Sequence, residues 1–265
     1  MSSRAEKLAE VRERIAVAAR RSGRAPHAVR LIAVSKTKPL EDIAALADLG
    51  QRDFAENQMQ EALEKIECLR GRGLEWHFIG HLQSNKTRFV GGHFSWVHSL
   101  DSERLAGRIA ASVRDGDPAV RLLVQVNVFR DPAKHGVASE DLFALLDAVL
   151  ARDLPGIRLC GLMTIARLGA SAADTRRGFA RARALLEQCR ARFGEDFSEL
   201  SMGMSSDYEL AIEESGSGSC SRCHTGNGFL TWLPVLLGDE PGDPLEDIEV
   251  TWTEDEVHPQ TCQTC

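Results

Sequence analysis

The feature that most constrains this chain is an alternation of short apolar, β-branched runs with longer stretches of helical spacing. The runs are Leu31–Val34, Asp53–Glu56, Trp76–Gly80, Trp96–Ser99, Val120–Val128, Ile157–Met163 and Glu199–Met202. Between them lie the helical patterns Leu40–Leu49, Gln58–Leu69, Glu103–Val113, Ser139–Ala151 and Ala172–Phe193. Strands spaced this way run parallel and are joined by crossover helices. Seven such units favour a closed TIM-type (β/α)8 barrel over an open doubly wound sheet, although periodicity alone is compatible with both. No Gly-x-Gly-x-x-Gly follows the first run, which counts against a dinucleotide fold. Ahead of the alternation, Ser3–Glu6 reads as a capping box. Leu8, Val11, Ile15 and Ala18 then predict an amphipathic helix to about Arg21.

In such barrels the chemistry sits where the strands end. Here those ends read Ser35-Lys36-Thr37, Asn57-Gln58, His81-Leu82-Gln83, Asp101, Asn127, Thr164 and Ser201-Met202-Gly203. Lys36 stands at the mouth of the first strand, where partial desolvation would free its amine to attack carbonyls. Lys38 lies on the same side if the strand continues, and a solvated loop lysine fits the position equally well. From the residues alone the choice stays open.

Five ordered segments carry a resemblance. Leu31–Lys38, Phe54–Asn57, Trp76–Lys86, Gly161–Thr164 and Leu200–Ser205 closely resemble the pyridoxal phosphate homeostasis protein family. That family is similar to the N-terminal barrel of alanine racemase without its second domain. The likeness runs from about residue 5 to Glu214. It implies a fold-type III barrel holding pyridoxal 5′-phosphate (PLP) as a Schiff base on Lys36. It also implies that Ser201, with the backbone around Met202 and Gly203, meets the phosphate, and that Asn57 and His81 lie near the cofactor. The implied role is a cytoplasmic, monomeric PLP carrier with no dedicated turnover, its possible recipients being PLP-dependent apoenzymes. The alternatives are a PLP-dependent amino-acid racemase and a cofactor-free interaction protein with a zinc-binding tail. Racemisation needs a second acid/base on the far face of the cofactor. The only tyrosine, Tyr208, stands at the start of a helix after the seventh strand, an unpromising place for it.

Composition changes after Glu214, which suggests a barrel domain over 1–214 and an atypical acidic tail over 215–265. The tail holds nine acids against one base, Arg222, and the body before it is nearly balanced. A balanced body without a basic stripe argues against nucleic acid, and no run approaches the length of a membrane span. The resemblance calls for an eighth strand bearing a valine–arginine–x–glycine segment, but the chain reads Ser215-Gly216-Ser217-Gly218-Ser219 instead. The eighth strand is therefore expected to be missing or replaced. Its loss would leave the edges of the first and seventh strands open. The run Phe229–Leu237 is the candidate replacement, with Pro234 against it. A shifted reading frame, an alternative end or a fused linker would also produce such a tail. Cys220, Cys223, Cys262 and Cys265 form two Cys-x-x-Cys pairs, a candidate zinc site with His224 as a further ligand. The 38 residues between the pairs exceed the usual ~15–20. Cys220–His224 also spells the haem attachment sequence, which would need export. Cys68, Cys160 and Cys189 read as small buried apolar residues.

Overall fold

The computed structural model describes residues 3–215 and the backbone of 229–232. The expected capping box forms: Ser3 Oγ accepts from the Glu6 N–H at 3.2 Å and Glu6 returns a bond to the Ser3 N–H at 2.8 Å. Helix α1 (Arg4–Arg21) follows, with Leu8, Val11, Ile15, Ala18 and Ala19 on its buried face. Then strands and helices alternate: β1 (Val29–Val34), α2 (Leu40–Asp48), β2 (Asp53–Glu56), α3 (Met59–Cys68), β3 (Glu75–Phe78) and β4 (Trp96–Leu100). They continue as α4 (Glu103–Ala110), β5 (Val120–Gln125), α5 (Leu142–Leu150), β6 (Ile157–Met163), α6 (Ala172–Phe193), β7 (Glu199–Ser201) and α7 (Tyr208–Glu214).

A further strand, β8 (Phe229–Trp232), closes a barrel in the order β1 to β8. It pairs in parallel with β1, from Val29↔Phe229 to Ile32↔Trp232, and with β7 through Leu200↔Phe229 and Ser201↔Leu230. The eighth strand is thus replaced from the tail, and β1 and β7 have no open edges over that stretch. Pro234 is no obstacle because the strand ends two residues before it. The barrel therefore draws on residues beyond 214.

Parallel strands buried on both faces supply two apolar layers. Inside the barrel, Ile32, Val34, Ala55, Trp96, Leu123 and Met163 pack together. The larger layer lies between barrel and helices and includes Ile43, Phe54, Phe78, Leu122, Phe179 and Ile212. Cys160 and Cys189 are buried as expected, but Cys68 at the end of α3 is only half-buried. Cys220, Cys223, Cys262 and Cys265, with His224, lie outside the described residues. Among the described residues no helix is long and apolar enough to cross a membrane.

Glycine at position 80 is a structural requirement. A Cβ there would lie 2.2 Å from the Asn57 carbonyl oxygen, so the loops after β2 and β3 approach more closely than any side chain allows. Gly80→Ala is expected to cost about 2 kcal/mol or more, the scale of an overpacked core, measured by urea unfolding.

Candidate functional site

Lys36 follows β1 directly and is half-buried. Ile32 and Val34 pack inside the barrel, and Lys36 stands two residues beyond Val34, in the turn at the mouth. Lys38 does not share that place. The strand stops at Val34, and a turn with Thr37 at φ 62° redirects the chain.

The turn is held from outside the barrel by α3. Lys65 is buried and its Nζ donates to the Ser35 carbonyl at 2.6 Å, to Glu56 Oε1 at 2.9 Å and to Glu61 Oε1 at 2.5 Å. Ser35 Oγ donates to the same Glu56 oxygen at 2.6 Å. Glu61 also accepts the Thr37 N–H at 2.6 Å. Burial pushes the Glu56 carboxyl above its ordinary range, opposed by its bonds from Ser35 and Lys65.

Asn57 caps β2 at the mouth, and its Oδ1 is buried without a hydrogen-bond partner. His81 follows β3, half exposed, with its ring stacked on His135 at 4.2 Å between centroids and Nδ1 4.0 Å from Asp101 Oδ2. His135, on the loop after β5, went unnoticed in the sequence because no strand end or motif marks it.

Ser201 ends β7 fully buried. Its hydroxyl meets His98 Nδ1 at 2.9 Å; His98 Nε2 meets His77 Nδ1 at 3.0 Å; His77 Nε2 meets Asp53 Oδ1 at 3.0 Å. A hydrogen-bonded chain therefore crosses the barrel interior from its floor to the mouth. Both imidazoles are neutral, because burial drives the His77 pKa down to about 3 and that of His98 well below its ordinary value. A neutral imidazole has one N–H. Burial raises the Asp53 pKa and Arg30 opposes that; when Asp53 is ionised and acceptor-only, His77 donates to Asp53, His98 to His77, and Ser201 to His98. In that state the Ser201 hydroxyl proton points inward, leaving its lone pairs for the mouth.

Met202 packs into the layer between barrel and helices, so only its backbone can face a ligand. Gly203 follows at φ 92°, a conformation glycine adopts at little cost. The Ser205 hydroxyl, on the same loop, is buried without a hydrogen-bond partner.

Asp53, Glu75 and His77 cluster at the floor with metal-ligand spacing. Guanidinium groups answer the two carboxylates, Arg30 at 3.6 Å from Asp53 and 3.7 Å from Glu75, and Arg121 at 3.4 Å from Glu75. The cluster is an ion-pair network under Trp96, over which both arginines lie.

A lone barrel with a lysine at the mouth of β1 and a glycine turn after β7 defines a class, the alanine racemase N-terminal barrel. The family model for that domain matches residues 7–221. The pyridoxal phosphate homeostasis protein of Pseudomonas aeruginosa is 47% identical over 214 residues, covering 81% of this chain and 90% of that one. Its counterpart in Escherichia coli K12 is 42% identical over 218 residues, covering 80% and 91%. Among solved structures, PipY of Synechococcus elongatus with PLP bound is 36% identical, covers 89% of this chain and all of its own, and has a TM-score of 0.71. This chain belongs to the pyridoxal phosphate homeostasis protein family. Alanine racemase of Corynebacterium glutamicum, at 16% identity and a TM-score of 0.58, shares the fold.

Proposed function

We propose that this protein binds PLP at the mouth of its barrel as a Schiff base on Lys36, and that it acts in PLP homeostasis. On this reading it is a cytoplasmic, monomeric carrier that supplies PLP-dependent apoenzymes and has no dedicated turnover. The observation that carries the reading is the placement of Lys36 in the turn directly after β1, at a mouth with unsatisfied polar atoms. Asn57 Oδ1 and Ser205 Oγ are buried there without partners, and buried polar atoms of that kind call for a ligand or water. Ile79 and Ile165 supply apolar surface beside them. The residues fit the cofactor.

The amine of Lys36 must be neutral to react. Lys36 would hold PLP through its aldehyde, a condensation that releases water. When bound, PLP would supply an electron-withdrawing ring. The backbone of Met202 and Gly203 offers N–H donors to the phosphate, as anion-binding turns do, with Ser201 fixed beneath by His98. Asn57 and His81 border the ring's side of the mouth.

Tyr208 speaks against a racemase. It is 2% exposed and lies under α1, with the Arg14 guanidinium 5.3 Å from its ring centroid. Burial pushes its phenol up to about 12, far from an acid/base working near neutrality.

Borohydride reduction after incubation with PLP is expected to fix one adduct on Lys36, located by peptide mass spectrometry. Lys36→Ala is expected to abolish it. An adduct unaffected by that substitution would sink the reading.

A further inference from the structure

The three residues of the β1–α2 turn are not anchored alike. The carbonyl of Ser35 is fixed by Lys65 and the N–H of Thr37 by Glu61, both from α3. Lys36 lies between these two anchored groups. Thr37 holds a left-handed backbone at φ 62° without being glycine, a conformation that costs about 1 kcal/mol and persists only where neighbours over-determine it. Two bonds hold it there: the Thr37 N–H to Glu61, and the turn's own bond from the Lys38 N–H to the Ser35 carbonyl at 3.1 Å.

Lys65 and Glu61 are themselves tied together, and Ser35 is held at two points: its carbonyl accepts from Lys65, and its hydroxyl donates to Glu56, which also accepts from Lys65. An ammonium has three N–H donors and no acceptor. Lys65 meets three acceptors at 2.5–2.9 Å, so every donor is engaged and no lone pair remains for a carbonyl. The buried lysine nearest the turn is therefore committed to bonding.

We infer that Lys65, with Glu61 and Glu56, is a positioning group for Lys36: the cluster fixes the turn from both sides so that the Lys36 amine meets an aldehyde at the mouth. The inference rests on the proposed attachment at Lys36. The physical basis is pre-organisation, since holding a reacting group in place replaces an entropic cost otherwise met at each encounter. A cluster that merely joined α3 to β1 and β2 would affect all binding at the mouth alike. A positioning cluster affects bond formation selectively.

The test separates the two steps with two ligands in the full chain. PLP plus borohydride reads the rate of adduct formation at residue 36. Pyridoxine 5′-phosphate, which has no aldehyde, reads reversible affinity by calorimetry. Lys65→Met is expected to slow adduct formation about tenfold or more, with the affinity for pyridoxine 5′-phosphate changed less than about threefold. Removing one partner of a buried ion cluster can unfold a protein, so Glu61 supplies the second comparison. Glu61→Gln keeps an acceptor for the Thr37 N–H and is expected to retain most of the rate. Glu61→Ala is expected to lose it as Lys65→Met does.

Parental rates in both Lys65→Met and Glu61→Ala overturn the inference. So does a parallel loss of rate and affinity in the Glu61→Ala chain, because that is the signature of a purely structural cluster. If the parent chain itself forms no adduct at Lys36, the failure belongs to the proposed function, and the parent measurement alone reveals it.

Discussion

Removing residues 216–265 is expected to abolish cooperative unfolding and, with it, retention of PLP through dialysis. The cut takes away β8, which pairs at four positions with β1 and at two with β7. At about 1 kcal/mol for each net hydrogen bond, that is on the order of 5 kcal/mol, comparable with the ~5–15 kcal/mol that holds a domain folded. Water would also reach the interior beside Ile32, adding the cost of exposing apolar surface. The β7 side of the mouth would suffer first, because Ser201 is paired directly with Leu230. Leu230→Pro separates the strand from any other role of the tail. Leu230 is paired on both sides, with Arg30 and Ser201. Proline there removes an N–H and costs about 3 kcal/mol, giving a folded chain with a lowered urea midpoint. A truncated chain with the parental midpoint and slope would show that the barrel does not depend on β8.

That strand marks the limit of what the sequence disclosed. Asp53–Glu56, Ile157–Met163 and Ala172–Phe193 are bounded in the structure as the periodicity predicts, since long burial patterns and caps define them. The end of α6 is marked by Gly194 at φ 107°. β5 was expected to run to Val128, but it stops at Gln125. Asn127 instead closes the following loop, donating to the Asp131 carbonyl at 2.7 Å and accepting the Asp131 N–H at 3.0 Å. β8 was read only within the longer run Phe229–Leu237, which Pro234 made look unfit. Lys36 was singled out by its strand end and neighbouring motifs. Lys65 left a fainter signal: it follows Ala62 by three residues and precedes Ile66 on the buried face of α3, and a charge on such a stripe asks for partners. The histidine chain left none, because no local spacing reveals that residues of β2, β3, β4 and β7 meet inside a barrel.

Acid is expected to weaken the fold through that chain. His77 keeps its neutral form with a pKa pushed down to about 3 by burial, with Arg30 adding in the same direction, whereas an unfolded histidine titrates near 6.5. A depressed folded value means the contribution is complete above about pH 6.5 and is lost as pH falls toward 3. Its ceiling is on the order of 5 kcal/mol, and His98 acts in the same direction. The buried carboxyls of Asp53 and Glu56 are raised, mainly by burial, and therefore have the opposite sign. Their contribution is present at low pH and is lost as pH rises through their folded values. The histidine term is isolated by comparing the parent with His77→Gln in urea at several pH values. At pH 7.5 the variant should be less stable by roughly 2–4 kcal/mol, because Asp53 and His98 each lose a buried partner. Toward pH 4 the gap should narrow, since only the parent must protonate a buried ring or unfold. A gap independent of pH would mean that His77 does not stay neutral inside the barrel. The same loss reaches the mouth, because a protonated His98 can no longer accept the hydroxyl proton that fixes Ser201 beneath the Gly203 turn.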